Sequence, residues 1–259
     1  MVQKKSNSNN IIKKQIISPV SDIKKKPKLK SELESQCLFG EVVEIIKIQK
    51  DWVFIKSELD NYKGWVRSNT IGTRIKSTHK IGNVVSNIYI EPSIKAPLVT
   101  SLYMNSQVSI NKKIDHDWYQ VWFKNKLGFI NSGNILSNNV HIKDWVKVAV
   151  MYLNTPYLWG GKTYSGVDCS GLVQICLQSS GLSFPRNTSD QIKFNTKNVF
   201  KHEKLEKGCL VFWDGHVGIM LNENNILHSN AYHLGVKIEK LTKASKRIGE
   251  IKAIKKVYL

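Results

Sequence analysis

The 259-residue chain contains four cysteines and seven histidines, the side chains best suited to nucleophilic and proton-transfer chemistry. Cys37, Cys169, Cys176 and Cys209 form no C-x-x-C pair and share no metal-ligand spacing with the histidines. Neither a metal site nor a disulfide framework is therefore expected, and no cofactor is called for. A reactive thiol is the remaining option. In GVDCSGLVQICLQSSGL the apolar residues Leu172, Val173, Ile175, Cys176 and Leu177 suit a buried helix, with Gly181 just past its end. Cys169 then stands at the helix start, where unpaired N–H groups and the positive dipole end favour a thiolate. Its own N–H is also suited to binding an oxyanion. Cys176, two turns on, falls in the apolar stripe and reads as core.

A base must come from elsewhere in the chain. His216 opens the alternating run HVGIML, His228 follows twelve residues later in NILHSN, and Asn222-Glu223-Asn224-Asn225 between them reads as a turn. The two imidazoles would then lie on adjacent antiparallel strands. His216 could take the thiol proton and later protonate a leaving amine while His228 fixes its tautomer. Taken alone, a histidine in a strand is more often structural.

The elements that would hold these residues begin near residue 139. Asp144 is suited to cap a helix over WVKVAVMYLNT, and after the cysteine helix come the strands CLVFW, HVGIML, NILHSN and GVKIEKL. A helix followed by a strand meander indicates an α+β domain. The preceding 125 residues hold a diverged repeat. Asp51-Trp52-Val53-Phe54-Ile55 is answered by Asp117-Trp118-Tyr119-Gln120-Val121, and Gly64-Trp65-Val66 by Gly128-Phe129-Ile130. Repeats of about 60 residues built from short strands fit small closed β-barrels. The expected division is a disordered tail over 1–14, small barrels over 15–76 and 77–138, and an α+β domain over 139–259.

Composition narrows the partners. The formal charge of +19 arises from 39 Lys plus Arg against 20 Asp plus Glu, an excess that attracts polyanions. Only Arg67, Arg74, Arg186 and Arg247 are arginines. Lysine is poorer at bidentate phosphate recognition, so a solvated surface is expected and no nucleic-acid partner. No apolar run approaches the ~20 residues of a membrane span, and the N-terminus holds no secretory apolar region. No membrane association is expected, and the cytoplasm is the default compartment.

The ordered motifs PYLWGG, DCSGLV, FPRNTSDQ, GCLVFW, HVGIML and ILHSN resemble those of the NlpC-like cell-wall cysteine peptidases, and the Trp and Gly pattern ahead of them resembles bacterial SH3 domains. The resemblance implies a papain-like peptidase domain behind two SH3-like barrels and a triad of Cys169, His216 and His228. It also implies a role for Tyr157 near the reaction centre, with Trp159 beside it. The whole architecture is similar to the γ-D-glutamyl-L-diamino acid endopeptidases, which release L-Ala-γ-D-Glu from murein peptides. By that similarity Asp168 and Ser170 flank the nucleophile, Thr188 stands where a serine is usual, and Tyr62 comes from the first barrel. An acidic barrel residue, Glu41 in preference to Glu34, would join Asp168 in holding the substrate's free ammonium. Two other outcomes stay open: an endopeptidase acting on polymeric wall, and a non-catalytic wall-binding SH3-like protein.

Overall fold

The computed structural model describes residues 12–194, 196–199 and 204–257. Its first unit is an antiparallel sheet of β1 (Ile12–Ile16), β2 (Val20–Lys24), β3 (Leu33–Leu38), β4 (Val42–Gln49), β5 (Trp52–Ser57), β6 (Lys63–Arg67) and β7 (Ile71–Gly72). The strand order is β3-β2-β6-β5-β4-β1-β7. Alternate residues of these strands, among them Ile16, Ile23, Val43, Ile55 and Val66, close a core. β1 starts inside the segment 1–14 expected to be a disordered tail, because Ile12 to Gln15 pair with β4. Residues 1–11 of that segment lie outside the described residues.

The second unit contains β8 (His79–Ile81), β9 (Val85–Tyr89), β10 (Leu98–Tyr103), β11 (Gln107–Val108), β12 (Ile110–Lys113), β13 (Trp118–Phe123), β14 (Lys126–Asn131) and β15 (Ile135–Ser137). It repeats the first in detail. A Cβ on Gly64 would sit 2.3 Å from the Ile23 methyl, and one on Gly128 would sit 2.3 Å from that of Ile88. Each glycine thus leaves room for an isoleucine of the neighbouring, paired strand. The turn after each barrel hairpin is tied alike, by Ser68 N to Asp51 O at 2.9 Å and by Ser132 N to Asp117 O at 2.7 Å.

The last unit begins with α1 (Trp145–Met151), capped as expected by the Asp144 carboxylate, which accepts from Lys147 N. A short hairpin of β16 (Lys162–Thr163) and β17 (Gly166–Val167) leads into α2 (Cys169–Ser179), followed by the single turn α3 (Thr188–Gln191). The sheet comprises β18 (Lys197–Asn198), β19 (Cys209–Trp213), β20 (His216–Met220), β21 (Asn225–Asn230), β22 (Gly235–Lys240) and β23 (Ala253–Lys256), with α4 (Leu241–Ile248) between the last two. Its order is β18-β23-β19-β20-β21-β22. α1 and α2 cover one face through Val148, Leu172, Ile175, Phe212 and Ile219. α4 packs Ala244 against Val211, Trp213 and Met220 on the other. Two covered faces explain why CLVFW is apolar throughout and buried at every position. Gly181 follows α2 at φ +87°, a conformation glycine adopts without strain.

The first unit docks directly on the last. Arg186 Nε donates to Ser35 Oγ at 3.0 Å, the Lys162 backbone N to Gln36 Oε1 at 2.9 Å, and Gln174 Nε2 to Asp60 Oδ2 at 2.7 Å. Gly160 lies so close to Leu33 that a Cβ would meet its side chain at 2.8 Å.

Candidate active site

Cys169 opens α2 because Asp168 caps it, the Asp168 carboxylate accepting from Gly171 N at 2.7 Å. The thiol lies at the base of a cleft of about 260 Å3 lined by Glu34, Tyr157, Trp159, Asp168, Cys169, Ser170, Arg186, Asn187, Thr188, Ser189 and Gly215. Thr188 Oγ1 is 3.9 Å from Cys169 Sγ. Burial pushes the Cys169 thiol up to about 11, and Asp168 adds to the rise. The helix start was expected to favour a thiolate; loss of solvent acts in the opposite direction.

β20 and β21 are adjacent, and they bring His216 Nε2 to 2.8 Å from His228 Nδ1. Burial, then His228 and Arg247, pull His216 down to about 3, so the resting imidazole is neutral. The small residue beneath the pair is Gly218, where a Cβ would meet Ile226 at 2.5 Å and His228 at 3.3 Å. A neutral thiol and a neutral imidazole each resist ionising alone in a buried setting. Sequence reasoning missed the next contact outward, His228 Nε2 to Glu239 Oε1 at 2.8 Å. Arg247 in turn bonds both Glu239 oxygens, Nη1 to Oε2 at 3.0 Å.

The expected substrate contacts divide into two groups. Tyr157, half-buried and held up to about 12 by burial and the nearby Cys169, lines the cleft, as do Thr188 and the 60% exposed Trp159. Tyr62 is hydrogen-bonded to Asn187 and faces Glu34 and Arg186, so the first barrel does reach the cleft. Asp168 also lines the cleft, with its carboxylate already shared among other donors. Its oxygens accept from Gly171 N, Gly160 N and the Arg186 guanidinium, with Nη2 to Oδ2 at 2.6 Å and Nη1 to Oδ1 at 3.0 Å. Ser170 is taken up by the same network, receiving Arg186 Nη1 at 2.8 Å. Glu41 is a correction. It is 6% exposed and its carboxylate faces buried Lys162 at 3.4 Å, away from the cleft. Glu34 lines the cleft instead, and burial raises its carboxyl above the usual carboxylate value.

Two family models match this chain: the NlpC/P60 family over residues 154–248 and the bacterial dipeptidyl-peptidase SH3 domain over residues 23–71. The chain carries an NlpC/P60 domain behind a bacterial dipeptidyl-peptidase SH3 domain. Dipeptidyl-peptidase 6 of Lysinibacillus sphaericus is 27% identical over 83% of this chain and 86% of its own length. A γ-D-glutamyl-L-lysine dipeptidyl-peptidase of Bacillus cereus is 26% identical over 80% and 70%. Among solved structures, an NlpC/P60 family protein from Bacillus cereus superposes with a TM-score of 0.82 at 20% identity, covering 95% of this chain and 99% of that one. The fold is thus the NlpC/P60 fold with an SH3-like, strand-rich N-terminal region, mixed α and β. The matched NlpC/P60 segment contains every cleft residue except Glu34, and the matched SH3 segment supplies Glu34 and Tyr62. Among the described residues no helix is long and apolar enough to cross a membrane.

Proposed function

We propose that the protein is a cysteine peptidase hydrolysing the γ-D-Glu–diamino acid bond of murein peptides that keep a free N-terminal L-Ala, in the recycling of wall peptides in the cytoplasm. The organisation that goes with this reading is two SH3-like units over 15–76 and 77–138 and a peptidase domain over 139–259. The observation that supports it is the shared lining of the cleft, where Glu34 of the first unit joins Cys169 and Thr188 of the last and Tyr62 bonds Asn187 of the same lining. An enclosed ammonium needs an anionic partner. With Asp168 neutralised by Arg186, Glu34 supplies it and Tyr62 and Asn187 add polar contacts. The names of the two relatives, a dipeptidyl-peptidase 6 and a γ-D-glutamyl-L-lysine dipeptidyl-peptidase, support the same substrate class.

In this mechanism the Cys169 thiolate attacks the γ-glutamyl carbonyl carbon as its proton passes to His216. The Cys169 N–H, one of the helix-start donors without an intrahelical acceptor, steadies the oxyanion. Collapse breaks the C–N bond, and His216 gives the proton to the leaving amine of the diamino acid. Water, deprotonated by His216, then cleaves the thioester and frees the dipeptide. Mass spectrometry of L-Ala-γ-D-Glu-diaminopimelate digests tests the reading. Cleavage should vanish with Cys169→Ala and fall sharply when the alanine is N-acetylated. Equal cutting of acetylated peptides or intact sacculi would overturn the free-amine requirement.

A further inference from the structure

Behind His216 a line of polar side chains runs across one face of the sheet to α4. His216 Nε2 meets His228 Nδ1 at 2.8 Å, and His228 Nε2 meets Glu239 Oε1 at 2.8 Å. Arg247 of α4 grips both Glu239 oxygens and lies over the Tyr232 ring, 4.4 Å from its centroid. The register of β21 with β22 sets this up. His228 pairs with Lys237 and Ile226 with Glu239, so Glu239 is the diagonal neighbour of His228 on the same sheet face, within reach of a long side chain.

The donor and acceptor roles are forced from the outer end inward. A guanidinium only donates, so Glu239 accepts from Arg247, and that contact holds its carboxyl down to about 2. As an anion Glu239 can only accept, so His228 must carry a proton on Nε2. Burial keeps His228 neutral against the pull of Glu239, with Arg247 and His233 also disfavouring its charge. Its Nδ1 is therefore bare and takes the proton of His216 Nε2. A neutral His216 with its proton on Nε2 has a lone pair on Nδ1. Were His228 to carry its proton on Nδ1, that proton would face His216 Nε2, and His216 would hold its own on Nδ1, unable to accept another there.

We propose that Glu239, anchored by Arg247, is a positioning residue of this peptidase: it fixes the proton on His228 Nε2 and so selects the His216 tautomer whose Nδ1 is free to take the Cys169 proton. The inference rests on the catalytic reading above, but the tautomer itself is independent of any substrate.

The test joins two readouts. Long-range 15N–1H correlation spectra of histidine-labelled Cys169→Ala protein should show both His216 and His228 protonated on Nε2. The same spectra of Cys169→Ala carrying Glu239→Ala should show mixed tautomers. In the active enzyme Glu239→Ala should lower kcat by about 10- to 100-fold, the loss typical of removing an orienting partner, with KM changed less than about twofold. Glu239→Leu, which keeps bulk but offers no acceptor, serves if the alanine variant is unfolded by circular dichroism. A His228 protonated on Nδ1 in the Cys169→Ala protein, or an unchanged kcat in a folded Glu239 variant, overturns the proposal. An enzyme inactive on murein peptides would sink the function proposed above and leave the tautomer result to stand or fall by itself.

Discussion

Arg186 and Asp168 form a buried two-bond ion pair directly beside the thiol, Nη2 to Oδ2 at 2.6 Å and Nη1 to Oδ1 at 3.0 Å, with exposures of 3% and 7%. The pair fastens the start of α2 to the FPR segment, and the same guanidinium reaches Ser35 of the first barrel at 3.0 Å. Arg186→Leu would leave Asp168 as an uncompensated buried charge, a change that typically costs about 3–5 kcal/mol. Urea unfolding should show a fall of that order. A loss within 0.5 kcal/mol would mean that solvent or another cation reaches Asp168.

Glu34 and Glu41 should separate by assay. Glu34→Gln keeps the shape of the cleft wall but removes its unpaired charge. KM for free-amine peptides should rise about 10- to 100-fold, the worth of a charge-assisted contact of ~1.5–3 kcal/mol, with kcat nearly unchanged. Glu41→Gln leaves Lys162, 2% exposed, without its carboxylate. It should lower the unfolding midpoint and leave KM alone.

The pH profile follows from the same groups. His216 near 3 and Cys169 near 11 keep imidazole and thiol neutral across the ordinary assay range, so kcat should be flat between about pH 6 and 9. Glu34, its pKa raised by burial, gains a proton earlier on acidification than a free glutamate. KM should therefore climb on acidification, beginning at a higher pH than a free glutamate would give. A peptide α-amine loses its proton near pH ~8, so KM should climb again above that value. An N-acetylated peptide should show neither rise.

The twin glycines offer a test of packing. Gly64→Ala and Gly128→Ala each drive a methyl to 2.3 Å from an isoleucine methyl. Overpacking of this kind costs about 1–3 kcal/mol, and differential scanning calorimetry should record lower midpoints for both variants. A neutral outcome in one unit alone would show that its Ile23 or Ile88 can rotate away.

The placement of Cys169, His216 and His228 was legible because each sits in a local pattern: a helix start, a strand start, a strand after an Asn-rich turn. The strands, α2 and its glycine stop followed from periodicity for the same reason. Glu239 was hidden because an acid in GVKIEKL looks like the solvated side of an alternating strand, and only the diagonal register with His228 gives it a partner. The choice between Glu34 and Glu41 failed for a related reason. Both are acids of the first barrel, and which one meets the cleft depends on how that barrel docks, with Lys162 turning Glu41 inward. The upward push on the thiol was not legible because burial is a tertiary property, invisible in the local helix pattern.

The wall formed by Glu34 and Tyr62 belongs to a stretch of chain more than a hundred residues upstream of Cys169. In the proposed function the part that would measure how far a peptide extends past the scissile bond is therefore a separate stopper from the thiol that would cut it. Length preference can drift by substitutions in the stopper without disturbing bond breaking. A relative that lost the stopper while keeping the thiol would have a trench open at both ends, able to take a strand of any length.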